Sequence, residues 1–252
     1  PGGVQFHVRD RDTDKNGIFD EAGKTRTVLV SRGYNVLNGV VSPVRSRGAS
    51  RRPDITPDGQ HVTYETTADD LAEDGSGFGN DGRRVVVAHD RDADGDSIFD
   101  DIEVLPNPTG PTTQRTRTSI LTAGWKFDST SRSLVPATAP VADGNSAEPV
   151  ISASGRYVAF TTEAENLLRD GAYECVPDAT TATTEPPVVL LEARPMPASC
   201  PSGTHAAGYN FAANQGQRDV VLVDRDPDGD GTFDGGRYVP SLRDENSIQV
   251  EI

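Results

Sequence analysis

Short runs of alternating apolar and polar residues recur along the chain and predict β-strands. Val62 and Tyr64 fall on one side of such a run, and Val158 and Phe160 fall on one side of another. A period of two is typical of a strand that buries one face. The chain also contains 25 Gly and 18 Pro residues, which favour many short strands joined by turns. The pattern therefore predicts an all-β fold.

The two runs belong to a longer sequence unit that occurs twice. Residues 53–71 match residues 149–167 at an offset of 96 positions. Asp58-Gly59 in the first copy and Ser154-Gly155 in the second supply a tight turn, because Gly accepts positive φ without steric cost. We therefore predict one β-hairpin in each copy.

Two further kinds of strand complete the repeat. Val-rich strands precede three Asp-rich loops, and they lie at 4–8, 84–88 and 219–223. Strands follow these loops at 25–31, 116–122 and, more faintly, 237–242. The unit is thus strand, turn, strand, linker, strand, acidic loop and strand. This order describes a four-stranded antiparallel meander, which is the geometry of a β-propeller blade.

The whole chain, residues 1–252, is predicted to consist of such repeats, and their number amounts to about two and a half blades. The predicted boundaries are a partial blade at 1–33, a blade at 50–124 and a blade at 147–243. The last blade contains an insertion at about 172–210 that is rich in Thr and Pro, which is typical of an exposed loop. The segments 40–52 and 129–147 are predicted to be connectors.

The three acidic loops share one pattern and span 10–20, 90–100 and 224–234. Asp-Arg-Asp is followed by alternating oxygen-bearing residues, a Gly or Ser, and then Phe-Asp. Alternating oxygens can converge on a hard divalent cation, and the spacing fits the calcium loop of an EF-hand best. The predicted Ca²⁺ ligands are Asp12, Asp14, Asn16, Ile18 and Asp20 in the first loop, Asp92, Asp94, Asp96, Ile98 and Asp100 in the second, and Asp226, Asp228, Asp230, Thr232 and Asp234 in the third. The two Ile residues and Thr232 would contribute backbone carbonyls.

The loops depart from the EF-hand pattern at its twelfth position, which holds a bidentate Glu in that motif. The second loop offers Glu103 there, whereas the other two offer Gly23 and Arg237. We therefore expect the second loop to bind calcium most tightly. The alternative is a solvated Asp-rich turn without an ion, in which closely spaced like charges would repel one another. A bound cation would pin the turn between the third and fourth strands and serve a structural role.

Charge and cysteine content narrow the partners and the compartment. The net charge of −15 argues against nucleic acid and anionic membrane surfaces as partners. No apolar run approaches the roughly 20 residues that a membrane helix needs. A disulfide between Cys175 and Cys200 would close the insertion and would indicate an extracellular, cell-surface or periplasmic location. Two unpaired thiols are the alternative.

One part of the chain carries a family resemblance. The hairpin Ile151-Ser-Ala-Ser-Gly-Arg-Tyr-Val-Ala-Phe-Thr-Thr162, followed by Asn166-Leu167 and by Arg218-Asp-Val-Val-Leu-Val-Asp-Arg-Asp226, resembles the repeats of TolB-like β-propellers. The resemblance implies a propeller fold, and it leaves the function open because such repeats serve adhesion-like, scaffold, periplasmic and peptidase-associated proteins alike. Propellers close with about four to eight blades. Further blades or neighbouring copies of the chain are therefore the expected partners.

The chain lacks the sequence motifs of common catalytic sites. Its four histidines fall in unrelated contexts, and it contains neither a Gly-x-Ser-x-Gly elbow nor a His-Glu-x-x-His helix. We therefore expect a non-catalytic, calcium-stabilised module outside the cytoplasm that serves binding, attachment or assembly, with a protein or glycan as ligand. Two alternatives stay open. One is the propeller portion of a larger hydrolase or peptidase, and the other is a filament or surface-layer subunit completed by neighbouring copies.

Overall fold

The computed structural model describes residues 3–38, 40–72, 77–100, 116–123, 125–128, 133–136, 142–164, 167, 173–177, 204–208, 218–226, 233 and 238–240. Within these residues the fold is all-β, as predicted, and contains no helix. The strands are β1 (His7–Asp10), β2 (Arg26–Leu29), β3 (Arg32–Leu37), β4 (Val40–Arg45), β5 (Ser50–Ile55), β6 (His61–Thr66), β7 (Val85–Asp90), β8 (Arg117–Ala123), β9 (Trp125–Asp128), β10 (Ser133–Pro136), β11 (Ser146–Ile151), β12 (Tyr157–Thr162), β13 (Tyr173–Pro177), β14 (Thr204–Gly208), β15 (Asp219–Asp224) and β16 (Tyr238–Pro240).

Three sheets contain the repeated strands. The first sheet pairs β1 with β2, and the third sheet has the order β11-β12-β15. The second sheet lies between them and contains β5, β6, β7 and β8 as an antiparallel meander. The hairpins of the second and third sheets have equivalent turns, in which Gly59 N donates to Thr56 O at 2.8 Å and Gly155 N donates to Ser152 O at 2.9 Å. Both glycines have positive φ, so the predicted turns are confirmed.

The strand predicted at 237–242 does not complete the third sheet. The short strand β16 instead lies parallel to β8, with Tyr238 opposite Ile120 and Pro240 opposite Ala123. The prediction of a fourth antiparallel strand at this point was therefore wrong. Pro240 lacks a backbone N–H and cannot contribute that donor to a ladder, so it suits the outer edge of a sheet.

Three further hairpins each place at least one strand in a segment that was predicted to be a connector or a loop. They pair β3 with β4, β9 with β10, and β13 with β14. The first connects Leu37 to Val40 through Asn38-Gly39, and Asn38 has a φ of +53°. Asn-Gly between apolar runs favours a tight hairpin turn. The predicted connectors at 40–52 and 129–147 and the predicted loop at 172–210 therefore contain strand residues that the sequence pattern did not indicate.

Two hydrophobic cores separate the three sheets. Strand β7 contributes to both, because Val85 and Val87 face the first core while Val86 and Ala88 face the second. The first core also includes Val30, Val62, Tyr64, Leu71, Phe78 and Ile120, with Phe6 and Val8 packed against it. The second also includes Leu121, Val158, Phe160, Leu167, Val221 and Val223. All six residues of β7 are buried, so the second sheet packs against a neighbour on each face.

Polar contacts join the second and third sheets along their first strands. β5 and β11 each contain a bulge at the same repeat position, where Arg52 and Glu148 adopt positive φ. The side chains of these two residues form an ion pair. The backbone N–H of Glu148 donates to the buried carboxylate of Glu65 at 3.1 Å, and that of Ile151 donates to Asp54 at 2.8 Å. The bulges thus direct charged groups across the junction between the sheets.

Candidate metal centre

The second acidic loop begins where β7 ends, and its backbone curls around the carboxylate of Asp92. Ser97 N donates to Oδ2 of Asp92 at 3.0 Å, and Gly95 N donates to the backbone oxygen of Asp92 at 3.2 Å. Ile98 N donates to Oδ1 of Asp96 at 2.8 Å. Gly95 and Ser97 have φ values of +72° and +67°, which produce the sharp turn that the calcium-loop pattern requires.

This curl brings three of the predicted ligands together. One carboxylate oxygen from each of Asp92, Asp94 and Asp96 lies within 4.8 Å of the other two. The side-chain oxygens Oδ1 of Asp92 and Oδ1 of Asp94 are buried without a hydrogen-bond partner, and Asp92 is only 7% exposed. Leaving a buried carboxylate oxygen unpaired is costly. A divalent cation would supply the missing partner, so the donor set fits a hard ion.

The ionised form of Asp92 is disfavoured in this environment. Burial raises the pKa of Asp92, and the carboxylates of Asp96 and Asp94 act in the same direction. Hydrogen bonds from the backbone N–H groups of Ser97 and Asp96 oppose the shift without cancelling it. A cation at the cluster would reverse the balance, because its positive charge favours the ionised carboxylates.

Asp100, another predicted ligand, forms an ion pair instead of joining the cluster. Nε and Nη2 of Arg91 donate to its Oδ2 at 2.9 and 2.5 Å, and Asp100 is 1% exposed. Nη1 of Arg91 donates to the carbonyl of Gly59 at 2.5 Å, and the guanidinium lies 4.9 Å from the ring centre of Phe99. Arg91 therefore ties the end of the acidic loop to the hairpin turn of its own sheet. Glu103 lies outside the described residues.

The first acidic loop has the same internal geometry in a more exposed setting. Gly17 N donates to Oδ2 of Asp12 at 2.8 Å, and Ile18 N donates to Oδ1 of Asn16 at 2.8 Å. Nη2 of Arg11 donates to Oδ2 of Asp20 at 2.5 Å, but both of these side chains are about half exposed. Asp20 is thus placed like Asp100, in an ion pair with the arginine of Asp-Arg-Asp.

Protein groups already occupy several oxygens of the first loop. Nζ of Lys24 lies 3.3 Å from Oδ2 of Asp14, and the Asn16 amide donates to Glu21 at 2.7 Å. The pKa of Asp12 is lowered, since hydrogen bonds from the backbone of Gly17 and Asn16, together with smaller contributions, outweigh the opposing effect of burial. The first loop is therefore a weaker candidate for a cation site than the second.

The third loop is described only at its two ends. Arg225 repeats the contacts of Arg91, because its Nη1 donates to the carbonyl of Gly155 at 2.7 Å and its guanidinium lies 5.0 Å from the ring centre of Phe233. Asp226 is buried at 5% exposure, and its backbone N–H donates to Asp224 at 3.0 Å. The other predicted ligands, Asp228, Asp230, Thr232 and Asp234, lie outside the described residues. So does Cys200, and the disulfide with Cys175 therefore stays a prediction.

A second arginine reaches each later loop from the preceding sheet. Arg26, at the start of β2, donates to the carbonyls of Phe99 and Asp100 at 3.1 and 3.4 Å. Arg117, at the start of β8, donates to the carbonyl of Phe233 in the same manner. Sequence reasoning assigned no role to these residues. Two sequence patterns could have indicated these arginines. They are the Arg-Thr that recurs at the start of the fourth strand and the Asp-Arg-Asp that recurs in each loop.

A comparison of the chain with protein-family models, with curated proteins and with solved structures finds no match. Across the described part of the chain, no helix has the length and apolar character needed to cross a membrane. The geometry of the acidic loops and of the stacked sheets therefore carries the functional argument by itself.

Proposed function

We propose that this chain is a non-catalytic repeat module whose second acidic loop binds calcium as a structural ion. The observation that carries the proposal is the convergence of Asp92, Asp94 and Asp96 on one point, with Oδ1 of the buried Asp92 unpaired. Carboxylate clustering alone would be weak support. The unpaired buried oxygen adds the reason why the folded loop gains free energy when a cation arrives.

The donor chemistry favours calcium over softer or smaller ions. All three converging groups are carboxylates, which are the hard oxygen ligands that Ca²⁺ prefers. Zn²⁺ is held mainly by Cys and His ligands, and the cluster contains neither. Mg²⁺ demands a near-ideal octahedron at short distances, whereas a curled loop with backbone and water ligands suits the larger and more flexible calcium shell.

The position of the loop supports a structural role. It follows β7, the strand that contributes to both cores, and its far end accepts hydrogen bonds from Arg26 of the first sheet. A cation at Asp92, Asp94 and Asp96 would fix the loop between these two attachments. Calcium would then stabilise the junction of two sheets and would take no part in a reaction.

The stacked sheets support the wider proposal of a TolB-like propeller module outside the cytoplasm. Each sheet is built mainly from one copy of the repeat. Neighbouring sheets pack face to face, and one hydrophobic core lies in each junction. Equivalent hairpin turns and equivalent arginine contacts recur from sheet to sheet. On this proposal the sheets are blades, and the module serves binding, attachment or assembly.

Isothermal titration calorimetry of calcium-free protein tests the metal site. Moderate salt in the buffer screens nonspecific attraction of cations to the acidic surface. We expect saturable calcium binding that weakens about tenfold or more in Asp94→Asn, because one charged ligand is lost. Asp81→Asn is the matched control, since Asp81 lies on an exposed turn away from the loop. Absence of saturable binding, or equal binding by Asp94→Asn, would refute the proposal.

A further inference from the structure

The third sheet has an apolar outer face. On the side away from the second core, Val150, Ala159 and Leu222 lie opposite one another across β11, β12 and β15. Tyr157 and Val220 lie on the same face of the sheet, and the polar Thr161 lies opposite Val220. Val150 is 57% exposed, Val220 42% and Tyr157 39%. We call the five apolar residues the outer face of the third sheet.

The equivalent positions of the second sheet form an interface. Thr63 corresponds to Ala159 in the repeat, and Val86 and Ala88 correspond to Val220 and Leu222. All three are fully buried, and Val86 and Ala88 belong to the core shared with the third sheet. The same strand positions therefore pack against a neighbouring sheet in one repeat, whereas in the next Val220 is exposed and Ala159 and Leu222 are half-buried. Their apolar side chains suit another sheet better than they suit water.

The exposed face of the first sheet is a poor partner for this surface. It carries the exposed His7, Arg9 and Thr27, and its apolar residue Leu29, opposite His7, is half-buried. Nη1 of Arg9 donates to Oγ1 of Thr27 at 3.4 Å, and Nη2 donates to Oγ1 of Thr25 at 3.3 Å. Stacking one chain on the next in head-to-tail order would place the apolar outer face against these polar groups and would desolvate them.

The rim of the outer face is electrostatically balanced, although the chain has a net charge of −15. At one end Nη2 of Arg156 lies 2.7 Å from Oδ2 of Asp224. At the other end Nε of Arg218 lies 3.3 Å from Oε1 of Glu163. These pairs neutralise the carboxylates nearest the patch. Two copies of the face can therefore approach each other with less repulsion than two arbitrary parts of the surface.

We propose that the outer face of the third sheet binds the same face of a second copy of this chain across a two-fold axis. An isologous contact of this kind pairs apolar side chains with apolar side chains, and it closes at a dimer. Face-to-face packing of two sheets about 10 Å apart is a standard arrangement for burying such surfaces. The proposal goes beyond the calcium site and does not depend on it, and it assigns to a second copy the face that a further blade would cover in a closed propeller.

Sedimentation velocity across a wide range of protein concentration tests the proposal, and electrophoresis without reductant establishes that Cys175 and Cys200 form no intermolecular disulfide. We expect a reversible dimer of twice the 26.8 kDa chain mass. Val220→Asp should weaken dimerisation about tenfold or more, because a carboxylate would be buried in an apolar contact. Val150→Asp provides a second test at another exposed position. Circular dichroism establishes that each variant is folded.

Leu37→Asp is the matched control, since Leu37 is 68% exposed on the separate β3–β4 hairpin. It should leave the dissociation constant unchanged. A chain that stays monomeric at every concentration would overturn the proposal. A dimer that neither Val220→Asp nor Val150→Asp weakens would also overturn it. Open-ended oligomers that His7→Asp disrupts would overturn it as well, because they would indicate head-to-tail stacking.

Discussion

The first and second acidic loops have closely similar backbones and different surroundings. In both, the carboxylate of the second Asp accepts a backbone N–H five residues later, and the last Asp pairs with the arginine that follows the first. Asp20 lies at the surface, whereas Asp100 is 1% exposed. The second loop is covered by the hairpin turn at Gly59 and is contacted by Arg26 from the first sheet.

The difference separates what the local sequence determines from what the neighbouring sheets add. Asp side chains form short-range hydrogen bonds with their own loop wherever the motif occurs. Burial of the Arg-Asp pair depends on a hairpin turn and on a preceding sheet, and among the described residues no hairpin turn lies against Arg11. The same pair should therefore contribute very differently to stability in the two loops, since surface ion pairs contribute little.

Removing the arginine of each loop is the strongest test of whether its Arg-Asp pair contributes differently to stability in the two loops. Arg91→Ala leaves Asp100 buried without its partner and should lower the free energy of unfolding by about 3–5 kcal/mol. Arg11→Ala should cause little or no change, because both members of its pair are about half exposed. Urea denaturation of the two variants measures the difference. Equal losses would show that burial does not distinguish the loops.

Acid should affect the two strands that precede these loops differently. Burial lowers the pKa of His89 from its ordinary value of 6.5 to about 4, with Arg32 acting in the same direction and Asp100 opposing it. Between pH 6.5 and about 4 the unfolded chain binds a proton at His89 and the folded chain does not. The free energy of unfolding is therefore highest above pH 6.5. It decreases by up to about 3 kcal/mol as the pH is lowered from 6.5 to about 4.

Urea denaturation at a series of pH values checks this dependence on His89. His89→Gln, which can still hydrogen-bond to Thr118, should flatten the loss of stability between pH 6.5 and 4. The first loop has Arg9 at the equivalent position, and the exposed His7 serves as the control through His7→Gln. An unchanged slope in His89→Gln would mean that other groups cause the acid sensitivity.

Calcium should stabilise the protein through the second loop more than through the first. At a concentration about 100 times the dissociation constant, a ligand that binds only the folded state adds about 2.7 kcal/mol. Thermal or urea denaturation with calcium and with chelator should show this gain in the wild type and in Asp14→Asn. The gain should fall to about half or less in Asp94→Asn, since its binding is about tenfold weaker or more. If Asp14→Asn loses it equally, the ranking of the two loops is wrong.

Arg26→Ala should have a much smaller effect than Arg91→Ala, because Arg26 supplies two hydrogen bonds to an otherwise intact loop. We expect a loss of about 1 kcal/mol in the free energy of unfolding. Arg9→Ala is the control, because the Arg9 side chain contacts Thr25 and Thr27 of its own sheet. Measuring both with and without calcium sharpens the result. A larger loss for Arg26→Ala in calcium would indicate that the cation and the sheet junction are energetically coupled.

The sequence predicted the repeated parts of the fold because their pattern is local. The hairpin turns at Gly59 and Gly155 and the curl of the loop around Asp92 depend on residues within a few positions of one another. The hairpin at Asn38 could also have been predicted from its Asn-Gly turn. The parallel placement of β16 beside β8 could not, because it joins positions more than one hundred residues apart.

Part of the candidate site escaped prediction for a similar reason. The convergence of Asp92, Asp94 and Asp96 followed from their spacing. The pairing of Asp100 with Arg91 did not, because a carboxylate at a ligand position of a motif can bind either a cation or a neighbouring guanidinium. Repetition of the arginine in all three loops was the sequence evidence for the second choice. Only the fold brings Gly59 within reach of that arginine.

Alternate residues of strand β7 belong to different hydrophobic cores, and this arrangement affects how the strand can evolve. Val86 can change size without disturbing the packing around Val87, so neighbouring positions can drift separately. A one-residue deletion within β7 would exchange the two sets of side chains at once and misfit both cores. The strand should therefore tolerate substitution far better than a change of length, and a library of single-residue deletions scored for soluble expression would reveal this. Repeats built in this way can diverge freely in composition while their strand lengths stay fixed.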